Sequence, residues 1–152
     1  MNVLFVCLGN ICRSTMAEGI FKHKINQLGL SHITADSAGT GAWHIGSNPD
    51  NRTMETLQKH GIRYTHKGRQ VVADDAASFD FILAMDQSNY NDLIEILPND
   101  YNNLHMIREF DPEGHGDVPD PYYGGQSGFD NVYTLLERSI DAFIEKHIQH
   151  ES

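Results

Sequence analysis

A short apolar run at the start of the chain, followed at once by a polar turn, constrains the fold most. Val3-Leu4-Phe5-Val6 is continuously apolar, which is typical of a strand buried on both faces of a parallel sheet. The turn Cys7-Leu8-Gly9-Asn10-Ile11-Cys12-Arg13-Ser14 comes next. Apolar residues then recur at helical spacing as far as Gly29, and Thr15-Met16-Ala17-Glu18 matches a capping box. Strand, turn and helix N-terminus together predict a site where backbone N–H groups bind an anion.

Cys7 and Arg13 give this turn a specific chemistry. A thiolate is a strong nucleophile toward phosphorus, and the surrounding N–H groups and Arg13 would favour that form of Cys7. The guanidinium of Arg13 is a planar fork that matches two phosphoryl oxygens, which lysine cannot reproduce. Gly9 allows a close backbone approach or a positive φ angle. The alternative is that Cys7 is an inert buried thiol and Arg13 a surface residue, since most cysteines are buried and unreactive.

A carboxyl group far downstream could supply the proton that a leaving oxygen needs. Asp120 lies between Pro119 and Pro121, and each proline fixes its own φ and restrains the residue before it. A loop stiffened in this way can hold Asp120 over a site as a general acid. Tyr122 and Tyr123 follow and could form aromatic walls for a flat substrate. The alternative is an exposed Pro-Asp-Pro turn with two surface tyrosines.

These two motifs, in this order and more than a hundred residues apart, resemble those of the low-molecular-weight protein tyrosine phosphatase family. Further similar segments are Asp36-Ser37-Ala38-Gly39, His66-Lys67-Gly68-Arg69-Gln70 and Phe79-Asp80-Phe81-Ile82-Leu83-Ala84-Met85-Asp86. The resemblance implies that Cys7 is the nucleophile, Arg13 the phosphate clamp, and Asp120 the acid of the first step and the base of the second. It implies hydrolysis through a phosphocysteine, with no metal and no other cofactor.

The resemblance also implies which residues surround these three. Those expected to bind phosphate or line the substrate pocket are Leu8, Gly9, Asn10, Ile11, Cys12, Ser14, Trp43, Tyr122 and Tyr123. Ser37 and His66 are expected behind the loop, where hydrogen bonds hold it in shape and help to stabilise the thiolate. The simpler alternatives are that Ser14 caps the helix, Ser37 ends a strand and Trp43 packs in the core.

Two related activities on this fold must be separated from phosphotyrosine hydrolysis. The similar arsenate reductases need further cysteines for a disulfide relay, whereas Cys7 and Cys12 are the only ones here. The similar phosphoarginine phosphatases tend to carry threonine where this chain has Ile11, and a bulky apolar residue favours an aryl phosphate. Phosphotyrosine in proteins or peptides is therefore the expected substrate and inorganic phosphate the product. A protein-arginine phosphatase is the alternative; a phosphotyrosine-binding module without turnover is less favoured, because it needs neither Cys7 nor Asp120.

Cys12 is a second thiol in the loop, and the proposed chemistry uses only that of Cys7. Its spacing from Cys7 is not that of a usual zinc pair. If the turn curls around a phosphate, Cys12 could capture a sulfenic acid formed on Cys7 as a reversible disulfide, and the family that the chain resembles shows similar behaviour. The alternative is a small buried residue that fills space under the loop.

The order of apolar segments predicts a single α/β domain over residues 1–150. We expect an open, mostly parallel sheet of about four strands with helices on both faces. Besides the first strand, strands are predicted around Ile33, at residues 81–85 and, more weakly, at residues 104–107. Helices are predicted over residues 48–60, after Asp86 as N-cap, and near the C-terminus. Ligands bind such sheets at the carboxyl ends of the strands, which is where Cys7 falls.

Charge and composition exclude other classes of partner. The formal net charge is −10, from 11 basic and 21 acidic residues, which argues against nucleic acid. The apolar start is too short and lacks the basic leader of a signal peptide, and no stretch approaches membrane-spanning length, so no membrane insertion is expected. A reactive thiol and few cysteines are typical of a reducing compartment, so the expected location is cytoplasmic. An anionic substrate must nevertheless approach an anionic protein, which requires a locally positive pocket.

Overall fold

A central parallel sheet organises the protein, for which a computed structural model describes residues 1–149. The strands are β1 (Asn2–Cys7), β2 (Thr34–Gly39), β3 (Phe81–Ala84) and β4 (Leu104–Met106), and they lie in the order β2-β1-β3-β4. All the pairings are parallel, with β1 between β2 and β3. The predicted buried first strand is therefore confirmed as a central strand.

Helices cover both faces of this sheet. They are α1 (Arg13–Gln27), α2 (Asn51–Lys59), the short α3 (Asp75–Ser78), α4 (Gln87–Ile96) and α5 (Gln126–His147), with a 3-10 helix at Ile107–Phe110. Successive strand side chains point to opposite faces, so β1 contributes to two separate cores. Phe5 packs against Phe21 of α1 with ring centroids 5.5 Å apart, on the same face as α5. Leu4 and Val6 pack with Leu93 of α4 on the other face. The predicted open α/β sheet is confirmed.

The start of α1 differs from the capping-box prediction, which is wrong. The helix begins at Arg13, and Cys12 precedes it without a side-chain cap. Thr15 instead donates its hydroxyl to the Cys12 backbone oxygen at 3.0 Å, and Glu18 is buried among polar side chains behind the loop. Glu18 is needed there as a hydrogen-bond acceptor. The first N–H groups of α1 thus have no side-chain cap, as an anion site at a helix N-terminus requires.

The other boundaries shift by a few residues. The strand predicted around Ile33 begins at Thr34, and β3 and β4 each end one residue before the predicted position. Met85 leaves the strand because its backbone oxygen accepts the N–H of Val118 at 2.8 Å, while Ile107 opens the 3-10 helix. The predicted domain over residues 1–150 extends to His150, which lies outside the described residues. Within residues 1–149, no helix has the length and apolar character needed to cross a membrane.

Carboxylates cap two of the helices. Asp86, predicted to cap α4, accepts the N–H of Asn89 at 2.8 Å, which confirms that prediction. Asp50 accepts the N–H of Arg52 at 2.8 Å, so the helix predicted over residues 48–60 begins at Asn51. Each capping carboxylate also binds an arginine, and both arginines lie near the loop that follows β1.

A buried carboxylate ties a long loop to α5. Asp111 is 3% exposed and accepts hydrogen bonds from Arg138 at 2.7 and 2.9 Å and from Arg108 at 3.1 Å. Arg108 also donates to the backbone oxygens of Gly114 and Asp117. The hydrogen bonds from Arg138 hold the pKa of the Asp111 carboxyl well below its ordinary value, although burial acts in the opposite direction.

We expect Asp111→Asn to lower the free energy of unfolding by about 2 kcal/mol at neutral pH, because it removes the carboxylate between two arginines. The pKa of Asp111 is lower in the folded than in the unfolded state. Its stabilisation is therefore present above the ordinary carboxyl pKa of 3.8 and is lost as the pH falls below that value. Urea unfolding of wild type and variant across this pH range measures the difference.

Asp141→Asn is the matched control, since it removes an exposed carboxylate of α5, 2.8 Å from Lys24. It should cost less than about 1 kcal/mol. A difference between wild type and Asp111→Asn that stays constant down to acid pH would contradict the role given to this carboxylate.

Candidate active site

The loop after β1 folds back on the sulfur of Cys7. The backbone N–H of Asn10 donates to Sγ at 3.3 Å, and the Ser14 hydroxyl oxygen lies 3.0 Å from it. Asn10 has a φ of 57° and is the one non-glycine residue with positive φ in the described chain. Asparagine tolerates this left-handed conformation better than most residues. Asn10, and not Gly9, is therefore the residue with positive φ in this loop. This conformation directs the Asn10 N–H toward the sulfur.

The side chain of Asn10 sets the direction of the hydrogen bonds behind the loop. Its Oδ1 accepts the backbone N–H of Arg69 at 3.0 Å, so its Nδ2 points away from Arg69. Nδ2 donates to the hydroxyl oxygens of Ser14 at 2.9 Å and of Ser37 at 3.0 Å. Because Ser14 accepts this bond, its own hydrogen is available for Cys7. Ser14 is therefore the donor in its contact with the sulfur.

Ser37 and His66 lie behind Asn10, as the family resemblance implies. The Ser37 hydroxyl donates to Oε1 of Glu18 at 2.7 Å, and Nε2 of His66 lies 2.8 Å from Oδ1 of Asn10. An amide oxygen only accepts, so Nε2 of His66 carries the hydrogen in this contact. Burial lowers the pKa of His66, whereas the carboxylates of Glu18 and Asp36 act in the opposite direction. The four polar residues expected to hold the loop thus form one connected network.

Glu18 is the member of this network that the sequence did not identify. It is 1% exposed and accepts the Tyr64 hydroxyl at 2.6 Å and the Lys22 ammonium group at 2.5 Å. A buried carboxylate needs such partners, and these satisfy it. Within the described residues, Glu18, Asp36 and His66 also place one potential metal-ligand atom each within 4.8 Å of one another. The Glu18 oxygens of that group are already hydrogen-bonded.

Arg13 is buried and held on one side. It is 3% exposed, and its Nη1 donates to Asp86 at 2.6 Å and to the Val118 backbone oxygen at 3.0 Å. Nη2 lies 3.9 Å from Oδ2 of Asp120. Burial lowers the pKa of Arg13, but Cys7, Asp86 and Asp120 outweigh it and raise that pKa above its ordinary value. The guanidinium is therefore a fixed, charged group, and the alternative of a surface arginine is wrong.

A cleft of about 240 Å³ brings the predicted residues together. The Asp120 side chain stands at its rim, 47% exposed, and accepts the backbone N–H of Tyr122 at 3.0 Å. The residues that line the cleft are Cys7, Leu8, Gly9, Ile11, Cys12, Arg13, Trp43, His44, Asp120, Tyr122 and Tyr123. Asn10, Ser14, Ser37 and His66 are the predicted residues that lie behind this lining. The Cys7 thiol, the Arg13 guanidinium and the Asp120 carboxyl group thus share one opening.

The mouth of the cleft is aromatic. Trp43 is 73% exposed, so its alternative placement in the core is wrong, and Tyr123 is almost fully exposed beside Tyr122. His44 also lines the cleft and was missed, because nothing in the sequence separates it from the other histidines. It lies so close to the loop that a Cβ on Gly9 would come 3.1 Å from its ring. A flat substrate would meet these rings at the entrance.

Gly39, at the end of β2, lets the loop pack against the sheet. A Cβ at this position would lie 2.7 Å from the Leu8 backbone oxygen and 3.2 Å from the Asn10 nitrogen. Any larger residue would push the loop away from β2, so glycine is required by this close approach.

Cys12 is buried, and its thiol is free, as is that of Cys7. Burial, with the negative charge of Asp50 as the next cause, raises the pKa of Cys12 to about 12. Cys12 therefore carries almost no thiolate near neutral pH. Capture of a sulfenic acid by Cys12 stays a prediction, as does its alternative of filling space.

A parallel sheet whose central strand leads into a loop with cysteine, a buried arginine and a helix N-terminus is the arrangement of a cysteine-dependent phosphatase. The family model described as low molecular weight phosphotyrosine protein phosphatase matches residues 2–152. The chain belongs to this family.

Named relatives agree with this assignment. The low molecular weight phosphotyrosine protein phosphatase of Schizosaccharomyces pombe is 44% identical over 140 residues, with 90% of each chain covered. That of Sus scrofa is 40% identical over 149 residues, covering 95% of this chain and 94% of the relative.

Solved structures share the fold over nearly the whole chain. A protein tyrosine phosphatase from Entamoeba histolytica has a TM-score of 0.94 at 37% identity, covering 100% of this chain and 99% of the other. A Drosophila arginine phosphatase has a TM-score of 0.91 at 34% identity, covering 98% and 99%.

We expect an alkylating reagent such as iodoacetamide to modify Cys7 at least about tenfold faster than Cys12 at pH 8, because only the thiolate reacts. Burial and Asp50 keep Cys12 protonated, with a pKa of about 12. Mass spectrometry of the digested protein locates and times the modification. Cys12→Ser should be labelled like the wild type, and Cys7→Ser should be almost unlabelled. Equal labelling of the two cysteines would contradict the environment described for Cys12.

Proposed function

We propose that this protein hydrolyses phosphotyrosine in proteins or peptides through a phosphocysteine on Cys7. The observation that carries the proposal is the shared cleft, in which Cys7, Arg13 and Asp120 lie beneath an aromatic mouth. The names of the relatives, which are tyrosine phosphatases, support the same activity.

In the first step, the Cys7 sulfur attacks phosphorus while the bond from phosphorus to the tyrosine oxygen breaks. Asp120 donates its proton to that oxygen, so tyrosine leaves as a neutral phenol. The free side of Arg13 and the N–H groups at the start of α1 bind the equatorial oxygens, whose negative charge they stabilise in the transition state. Since a phenol has a pKa of about 10, its ester needs less protonation than that of serine.

In the second step, water attacks the phosphocysteine. Asp120, now ionised, accepts a proton from the water, and the sulfur leaves as inorganic phosphate forms. The Asn10 N–H and the Ser14 hydroxyl, which both point at the sulfur, stabilise the departing thiolate. Ser37 and His66 act indirectly by holding Asn10. These residues complete both steps without a cofactor.

The walls of the cleft favour an aryl phosphate over the alternative, a guanidinium phosphate. Ile11 presents an apolar surface in the cleft, and Trp43, Tyr122 and Tyr123 present rings at the mouth. A stacked aromatic pair is worth about 0.5–1.5 kcal/mol beyond the area it buries. The similarity to a Drosophila arginine phosphatase keeps phosphoarginine as the second candidate substrate.

We further propose that the protein acts in the cytoplasm on phosphoproteins rather than on nucleic acid. Two free thiols, one of them the proposed nucleophile, suit a reducing compartment. A formal net charge of −10 disfavours a polyanionic partner.

A panel of peptides tests the substrate and the roles together. We expect wild type to turn over phosphotyrosine peptides faster than phosphoserine or phosphoarginine peptides, Cys7→Ser to be inactive, and Asp120→Ala to lose roughly 10²–10⁴ in turnover. Phosphate release measures all of them. Full activity in Cys7→Ser would refute the mechanism. Faster phosphate release from phosphoarginine than from phosphotyrosine peptides would refute only the proposed substrate class.

A further inference from the structure

Arg52, in the first turn of α2, reaches the loop that carries Asp120. Its Nη2 donates to the Tyr122 backbone oxygen at 2.9 Å, and its Nη1 donates to that of Gly124 at 3.2 Å. The guanidinium also lies over the Phe129 ring, 4.5 Å from its centroid. One side chain therefore binds the backbone on the C-terminal side of Asp120 at two points.

Asp50 fixes Arg52 from the other side. Its carboxylate accepts Nε and Nη2 of Arg52, each at 3.0 Å, in the forked geometry that arginine and a carboxylate prefer. The backbone N–H of Asp50 donates to the Ile11 oxygen at 2.9 Å. A continuous set of contacts thus runs from the loop of Cys7 through Asp50 and Arg52 to the loop of Asp120.

The loop of Asp120 has few other attachments after this residue. Tyr123 is 95% exposed, and the Asp120 side chain itself is 47% exposed. The bonds from Tyr122 to Asp120 and from Gly124 to Pro121 lie within the loop. Arg52 is the side chain from outside this loop that donates hydrogen bonds to residues 119–125 in the described part of the chain. Without Arg52, this side of the loop would be held by its own turn and by the packing of the buried Pro121 near Gly128 of α5.

We propose that Arg52 is a positioning residue for Asp120, which it holds over the cleft through the Tyr122 and Gly124 backbone. A general acid must come within hydrogen-bond reach of the leaving oxygen, and a displacement of about 1 Å is enough to reduce its effect. Arg52 is not among the residues that line the cleft, so it acts on the substrate only through the loop that carries Asp120 and Tyr122. This role rests on the proposed function.

Two aryl phosphates separate loss of the acid from loss of binding. We expect Arg52→Ala to lower kcat/KM about tenfold for phenyl phosphate, whose leaving group needs a proton. For 4-nitrophenyl phosphate, whose phenolate is a better leaving group, the loss should be less than about threefold. Lys59→Ala is the matched control, because it removes another cation of α2, 2.9 Å from Asp130, and should leave both values unchanged.

The same substitution in an Asp120→Ala background supplies the decisive comparison. With no acid to position, Arg52→Ala should cause no further loss, which a double-mutant cycle measures. Arg52→Lys keeps a positive charge beside Asp50 but cannot bind two groups at once as the guanidinium does, so it should show a smaller loss with the same substrate dependence. If melting curves show that Arg52→Ala is unfolded, Arg52→Lys is used in its place.

Equal losses on both substrates, or an undiminished loss in the Asp120→Ala background, would overturn the role of Arg52 and leave the proposed function intact. Failure of the wild type to hydrolyse either aryl phosphate would overturn the proposed function and this role with it.

Discussion

The hydrogen bond from the Arg69 backbone to Oδ1 of Asn10 determines how the rest of the loop is held. It orients the amide so that Nδ2 donates to Ser14 and Ser37, which in turn directs the Ser14 hydrogen to the sulfur. The left-handed backbone of Asn10 costs roughly 1–2 kcal/mol, and one hydrogen bond contributes a net of about 1 kcal/mol. A single contact would therefore barely offset the strain. Asn10 makes five contacts, with the Cys7 sulfur, the Arg69 N–H, His66, Ser14 and Ser37, and together they exceed the strain clearly.

Arg13 shows why a protein with a net charge of −10 can still hold a phosphate. A buried guanidinium without a partner would be very costly, and Asp86 supplies that partner at 2.6 Å. Asp86 binds only one side of the fork, so the other side stays available in the cleft together with the first N–H groups of α1. The positive character of the site is therefore local, and it acts on a phosphate that is already within the loop rather than at long range.

The sequence predicts those parts of the site that depend on neighbours along the chain. A continuous apolar run defines β1, the turn after it places Cys7 and Arg13, and Asp86 caps α4 from the adjacent position. Glu18 could not be assigned in this way, because its local pattern is that of a capping box. Besides Lys22 on α1, its partners are Ser37 and Tyr64, which come from β2 and from the segment after α2. Burial of a carboxylate is set by such distant contacts, which no local pattern records.

The same reasoning explains why Asp120 could be predicted from the sequence, whereas the arginines that hold its loop could not. Flanking prolines and the family resemblance identify Asp120 from a few adjacent residues. Its placement at the rim of the cleft depends instead on two arginines from other elements, which bind the loop on either side of it: Arg13 at Val118, and Arg52 at Tyr122 and Gly124. Each arginine is itself paired with the carboxylate that caps a helix. The loop of Asp120 is therefore anchored to the N-termini of α2 and α4. The geometry between Cys7 and Asp120 is therefore a property of the assembled sheet and helices, not of either motif.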